Sequence, residues 1–267
     1  MSRALIVGFV LALAALAGPS YGQDATKTPT CCTDESSPAN PVEALLDKLQ
    51  SRVNELTGYQ CDIDYIFKQP LLESQTRRKG KLYYIKMEKQ SHLRVDFETI
   101  QYDDEKEAKR REQFFFDGIW GTYIDYEGRS VQRQQVAEPN DPVDAFSLVS
   151  SRVPVLGFSK IEDLEKQFEI KLVDPNDAQT ATSDLLHMVV KPDSAYHEDY
   201  LTIDCHIDRK QGLPTQISAV TTEEDVHEIH LVGAKVNQVI ARERFNIEVP
   251  ADFSVETVPL KRAPTGK

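Results

Sequence analysis

Apolar and polar residues alternate along much of the chain. Tyr59, Cys61, Ile63, Tyr65 and Phe67 are separated by mainly polar residues, and a period of two is typical of a strand with one buried face. The same pattern predicts further strands at 77–87, 93–97, 113–116, 119–126 and 129–136. In the second half it predicts strands at 185–190, 200–207, 215–222, 226–233 and 245–249.

A spacing of three to four residues marks the helices. Apolar residues recur at this spacing from Val42 to Leu56, Asn40 suits the N-cap, and Pro41 suits the first turn. Gly58 ends the pattern. Shorter helices are predicted at 144–151 and 159–168.

The order of these elements predicts the fold class. Consecutive strands with short connections form antiparallel sheets, and a sheet of about 10–11 strands tends to curl. We therefore expect an α+β fold with a single curved antiparallel sheet that curls toward a β-barrel, closed or incomplete, whose concave face is plugged or covered by the helices. No repeat or linker divides residues 41–256, which we expect to form one domain.

Both ends of the chain differ from this domain. Arg3 precedes the uncharged apolar run 4–17, which is followed by Gly18-Pro19 and by small residues at positions 20 and 22. This pattern predicts a signal peptide over 1–22, and hence an exported protein. Residues 23–40 are expected to form a flexible leader and residues 257–267 a basic tail.

Charge and motifs exclude several classes of function. The 267 residues carry a net charge of −12, which disfavours nucleic acid and anionic lipid surfaces as partners. The sequence contains no G-x-S-x-G, P-loop or H-E-x-x-H motif. His227 and His230 would point to opposite faces of a strand and could not share an ion. We predict no catalytic residues, no metal and no cofactor.

Three smaller features have ordinary structural interpretations. Cys61 and Cys205 fall on apolar strand faces, so either buried thiols or a disulfide between them would explain their positions. The adjacent cysteines 31 and 32 lie in the leader and receive no assignment. The basic group Arg77, Arg78, Lys79 and Lys81 is interpreted as a solvated hairpin, with a contact to a partner as the alternative.

Large apolar side chains on consecutive strands are the main candidate for a site. They would fill the core of a closed barrel, or line a cleft for acyl chains in a half-open one. The residues alone leave both alternatives open. The predicted set comprises Tyr65, Phe67, Leu82, Tyr84, Phe97, Phe115, Trp120, Leu201 and Ile203.

Short motifs follow one another in a fixed order over about residues 42–256. They include a leading amphipathic helix, Phe67-Lys68-Gln69, and Gly80-Lys81-Leu82-Tyr83. Asp117-Gly118 with Trp120, Lys191-Pro192, and the closing strands that end at Phe245 and Val249-Pro250 continue the series. In this order they resemble the motifs of the outer-membrane lipoprotein carrier (LolA-like) family, in which F-x-Q and G-x-L-aromatic stand at the first two places.

The resemblance implies a periplasmic half-barrel that shields the acyl chains of lipoproteins. It also implies a monomer that receives cargo from an inner-membrane release complex and delivers it to an outer-membrane acceptor. An Arg-Pro pair that controls cargo retention and release in the family is replaced here by Lys86-Met87, so Lys86 is the expected counterpart. The alternative is a regulatory or sensor module of the same fold. A structural domain or an exported enzyme is a further alternative.

Overall fold

The computed structural model describes residues 40–87, 90–145, 161–173 and 182–260. The predicted signal peptide, nearly all of the leader and the last seven residues lie outside this range. So does most of the helix predicted at 144–151.

Twelve strands of the described residues form one sheet. The first six are β1 (Gly58–Gln69), β2 (Ser74–Met87), β3 (Gln90–Tyr102), β4 (Ala108–Phe116), β5 (Trp120–Asp125) and β6 (Ser130–Gln135). The others are β7 (Phe168–Val173), β8 (Ser183–Val190), β9 (Tyr200–Asp208), β10 (Pro214–Thr221), β11 (Val226–Val236) and β12 (Ser254–Val258). The structure also contains helices α1 (Pro41–Asn54) and α2 (Ile161–Gln167).

The sheet is open and has two edges. Its strand order is β12-β6-β5-β4-β3-β2-β1-β11-β10-β9-β8-β7. Neighbours are antiparallel except β12, which pairs with β6 in parallel. The predicted α+β class, with one curved and unclosed sheet, is confirmed, and the strand count exceeds the expected number slightly.

The strand predicted at 245–249 is wrong. Residues Arg242–Phe245 form a 3-10 helix instead, and the last strand follows it at 254–258. Phe245 and Ile247 pack on the face of the sheet rather than pairing at its edge. An extended segment lying flat on a sheet also buries alternate residues, which explains the misleading pattern. Strand β7 was missed because its residues directly follow the short helix α2.

Local sequence explains helix α1. The Val42 backbone N–H donates to the Asn40 side chain over 3.1 Å, and Pro41 occupies the first turn. Leu45 and Leu49 are buried on one side of the helix. None of the described helices is long and apolar enough to cross a membrane.

The helix divides the core into two clusters on one face of the sheet. Leu45 and Leu49 pack with residues of β8, β9 and β10, together with Leu164 of α2. Leu56, just after the helix, packs with residues of β1 to β5. We call this helix-bearing side the inner face and the opposite side the outer face.

The C-terminal segment 237–253 connects β11 to β12 across the outer face. Ile240 and Phe245 are buried there against Tyr83 of β2 and Phe115 of β4. The Arg244 guanidinium lies 4.4 Å from the centre of the Tyr83 ring, a favourable cation–π contact. This crossing is what allows β12 to join the far edge of the sheet in parallel.

Candidate functional site

The inner face is apolar across neighbouring strands. Tyr65, Ile229, Ile217, Cys205 and Leu186 are cross-strand partners in one continuous row over β1, β11, β10, β9 and β8. Tyr59, Cys61 and Ile63 of β1 are buried in the same direction. The row arises because the apolar residues occupy alternate positions of each strand and so lie on one face, and because the register places them next to each other across the strands.

A cavity of about 90 Å³ lies between the C-terminal end of α1 and this face. Its lining is apolar and includes Val53 and Leu56 near the helix end and Leu82, Tyr84, Leu93 and Leu231 of the sheet. Since about 150 Å³ suffices for a benzene molecule in an engineered cavity, this space is too small for an acyl chain. A larger ligand would have to displace the helix.

The structure places eight of the nine predicted cavity residues in two groups and leaves Leu201 outside both. Tyr65, Phe67, Tyr84 and Ile203 are buried on the inner face, and Leu82 and Phe97 pack against its core cluster. Phe115 and Trp120 lie on the outer face instead.

Phe115, Trp120 and Leu201 each have a local explanation for their position. In the run Phe114-Phe115-Phe116 the inner positions are Phe114 and Phe116, which pack in the core cluster, so Phe115 points outwards. Trp120 has the Arg133 guanidinium over its ring at 5.0 Å. Leu201 is 45% exposed beside a register shift at the start of β9, so it belongs to neither core cluster.

Lys86 lies near the end of β2 and is exposed. It has the strand parity of Leu82 and Tyr84, which places it on the inner side of the sheet beyond the cavity. Its backbone N–H donates to the Thr57 carbonyl oxygen over 2.9 Å. A role in cargo retention stays a prediction.

Both described cysteines are free thiols, so the Cys61–Cys205 disulfide is not formed. Three strand spacings separate β1 from β9, or about 14 Å along the sheet, which is far beyond the reach of a disulfide. Burial raises the pKa of each thiol to about 12. Both are therefore protonated and unreactive at neutral pH.

The two histidines of β11 point to opposite faces, as predicted. His227 is on the inner face, where the Tyr65 hydroxyl lies 2.8 Å from its Nδ1. Burial lowers the pKa of His227, so the ring is neutral at pH 7. His230 lies on the outer face, with Nε2 2.7 Å from Glu228 Oε1. Among the described residues, no group of three or more His, Cys, Asp or Glu side chains could hold a metal.

Sequence reasoning missed two charged residues of the inner face, Arg78 and Glu112. Arg78 is 7% exposed and Glu112 is 1% exposed. The strand parity could have revealed both, because Arg78 is in phase with Leu82 and Tyr84, and Glu112 is in phase with Phe114 and Phe116. Instead, Arg78 was grouped with its solvated basic neighbours.

Comparison with known proteins concerns the fold. No family model matches the sequence, and no curated protein is significantly similar to it. An uncharacterized conserved protein from Thermus thermophilus is similar in structure with a TM-score of 0.49 and 10% identity, covering 82% of this chain and 99% of that chain. The structure of MucB with MucA from Pseudomonas aeruginosa gives 0.46 and 10%, covering 78% and 62%.

A LolA superfamily protein from Nitrosomonas europaea is also similar, with a TM-score of 0.34 and 9% identity, covering 78% of this chain and 99% of that chain. Similarity at this level describes the course of the chain and assigns no function.

Proposed function

We propose that this protein carries acyl chains of a lipoprotein, or of a related lipid, on the inner face of its sheet. The observation that supports this most directly is the small apolar cavity beneath α1, on a broad apolar face of a sheet that does not close. Such a face, covered by a helix, is a surface on which an acyl chain and the helix can compete.

The energies of the two competitors are comparable. Leu45, Leu49 and Leu56 are at most 8% exposed, and burying three leucines contributes about 5–9 kcal/mol. A chain that buries ten methylene groups gains about 8 kcal/mol. Because the two values are similar, cargo can displace the helix and the helix can later help to release the cargo.

The cellular setting follows from this proposal and from the predicted signal peptide. The carrier would act in the periplasm as a monomer, loaded by an inner-membrane release complex and emptied by an outer-membrane acceptor. It would not act as an enzyme. A regulatory module of the same fold would bind the same cargo without handing it over, so a transfer assay separates the two.

The test is a titration of the exported protein with a triacylated lipopeptide and with the same peptide lacking acyl chains. We expect saturable binding of the acylated peptide alone. Leu82→Trp, which fills the cavity, should weaken binding at least about tenfold. The matched control is Val232→Trp, because Val232 pairs with Asp62 on the outer side and is 57% exposed. Equal binding of both peptides, or of neither, would refute the proposal.

A further inference from the structure

Strand β2 places one arginine on the inner face and its basic neighbours on the outer face. The cross-strand partners of Arg78 are Tyr65 and Ile100, both buried. The neighbouring cations point outwards and are ion-paired, Arg77 with Asp64, Lys79 with Glu107 and Lys81 with Asp62. The arginine on the inner face is therefore not part of the solvated basic group.

Arg78 belongs to a buried charge network that leaves it incompletely paired. Its Nε donates to Glu112 Oε2 over 3.1 Å. The other oxygen, Glu112 Oε1, accepts from Arg110 Nε over 2.7 Å. Arg110 also donates through Nη2 to Asp125 over 3.0 Å and through Nη1 to Glu127 over 2.6 Å.

Arg110 and Arg78 therefore differ in the number of N–H donors that remain available to a ligand. All three nitrogens of Arg110 have carboxylate partners. Within the described part of the chain, Arg78 makes a hydrogen bond only through Nε, which leaves Nη1 and Nη2 without an acceptor. A guanidinium carries five N–H donors, four of them on these two atoms.

The terminal nitrogens of Arg78 lack a protein acceptor within the described part of the chain, and its side chain is only 9% exposed. Water can therefore solvate these donors only in part, which makes the unpaired arrangement less favourable than a paired one. Arg78 and Arg110 share this network with three carboxylates, Glu112, Asp125 and Glu127, so what Arg78 offers to a ligand is its free N–H donors rather than an excess of positive charge. An anion that reached the two Nη atoms would gain charge-assisted hydrogen bonds and relieve this cost.

Position and chemistry together indicate the kind of anion. The planar fork of an arginine fits a carboxylate or a phosphate. Arg78 lies four residues along β2 from Leu82, which lines the cavity, and this separation is about 13 Å. The surface between the two points is the apolar inner face, with Ile63 and Phe97 beside Gly80.

We propose that Arg78 binds the anionic head group of an amphiphile whose acyl chain lies along the inner face. This inference rests on the proposed function for the chain-binding part, and it adds selectivity for an anionic head group. Carboxylate and phosphate share the required chemistry, and the test below includes both.

The experiment compares dodecanoate with methyl dodecanoate, which have the same chain and differ in head-group charge. Binding to the exported protein is measured by calorimetry at a pH where the carboxylate is ionised, and inorganic phosphate serves as a head group without a chain. We expect dodecanoate to bind at least about tenfold more tightly than its ester, as charged hydrogen bonds of this type allow. Phosphate alone should bind far more weakly.

Arg78→Gln should bring the ratio between the two ligands close to one and leave the affinity for the ester unchanged. The matched control is Arg94→Gln, since Arg94 is also ion-paired and 18% exposed but lies on the outer face beside Asp96. It should keep the wild-type ratio. Arg78→Lys, which retains the charge and loses the fork, provides a second variant if the glutamine protein does not fold, and it should lower the ratio in part.

Each contrary result has a distinct meaning. If the wild type binds ester and dodecanoate equally, the head-group site does not exist, although the proposed carrier function survives. If it binds neither, the proposed function itself fails. If phosphate binds as tightly as dodecanoate, Arg78 serves a small anion rather than an amphiphile, and the inference is overturned.

Discussion

At the scale of single residues, neighbours in sequence have opposite surroundings. Ser91 is 1% exposed on the inner side of β3. The ring of the next residue, His92, lies on the outer face between two phenylalanine rings. Its centroid is 6.0 Å from that of Phe115 and 5.9 Å from that of Phe245. Its Nδ1 is buried without a hydrogen-bond partner among the described residues. Burial lowers the pKa of His92, an effect that the Asp117 carboxylate partly offsets.

This environment predicts a pH-dependent stability. The unfolded chain binds the proton at the ordinary histidine pKa of about 6.5, and the folded protein binds it only at lower pH. Stability therefore falls as the pH drops below that value. His92→Phe removes this effect, so the variant should lose less in Tm between pH 7.5 and 5.5 than the wild type.

Thermal unfolding at the two pH values measures the difference. His197→Gln is the control, since the side chain of His197 is 51% exposed. It should follow the wild type. An equal loss of Tm in His92→Phe and the wild type would show that His92 does not contribute to the acid sensitivity.

At the scale of elements, one asparagine connects the end of α1 with the sheet. The Asn237 side chain donates to the Glu55 carbonyl oxygen over 3.1 Å and accepts from the Thr57 backbone N–H over 2.8 Å. Its backbone N–H donates to the Gly58 carbonyl over 2.7 Å. Asn237 has a φ of 54°, a left-handed conformation that asparagine tolerates better than most residues. We expect a displaced helix to turn about this point, because Asn237 holds the segment that follows the helix to the sheet.

Asn237→Ala should lower the free energy of unfolding by about 1–3 kcal/mol, because several hydrogen bonds are lost and the left-handed backbone is less well tolerated. Amide hydrogen exchange in α1 should accelerate at the same time. Asn237→Asp keeps the acceptor oxygen and loses the donor to Glu55, so its effect should be smaller. Denaturant unfolding and hydrogen exchange would contradict this role if the alanine variant matched the wild type in both.

At the scale of the whole molecule, the tip between β1 and β2 carries the contact surface that we expect for cargo transfer. Leu71 and Leu72 are 74% and 69% exposed there. Gln69 bonds to Asp225 on one side of the tip, and Gln75 bonds to Asp103 on the other. The acidic turns 103–105 and 223–225 thus flank an exposed apolar tip.

Leu71→Ser combined with Leu72→Ser should slow the transfer of bound lipopeptide to acceptor vesicles and leave its equilibrium binding unchanged. Transfer to phosphatidylglycerol vesicles should be slower than to phosphatidylcholine vesicles, because the acidic turns repel an anionic surface. Fluorescence of a labelled lipopeptide follows both rates. Val239→Ser, at a fully exposed valine after β11, should transfer like the wild type. Unchanged rates in the double variant would exclude the tip from transfer.

The local sequence pattern predicted most elements, but it failed at two places, the phenylalanine run 114–116 and the segment 245–249. The alternation in 59–67 located β1, and the cap at Asn40 located α1. The three consecutive phenylalanines 114–116 offered no such signal, so the sequence did not show that Phe115, one of the predicted cavity residues, lies on the outer face. The run 245–249 was misread because burial against a sheet face and pairing within a sheet produce the same alternation.

The sequence by itself determined most of the strands, the leading helix and the antiparallel sheet, because side-chain periodicity and capping are local properties of the chain, but it did not determine whether the sheet closes. Only the tertiary structure decided which distant positions meet. The register of β1 with β11 and β2 brings Tyr65 between Ile229 and Arg78, and the curvature of β2 to β4 allows Arg78 to reach Glu112. Contacts between residues that are distant in sequence depend on the strand register and on the path of the C-terminal crossing. Both are set by the packing of the whole sheet rather than by any one segment.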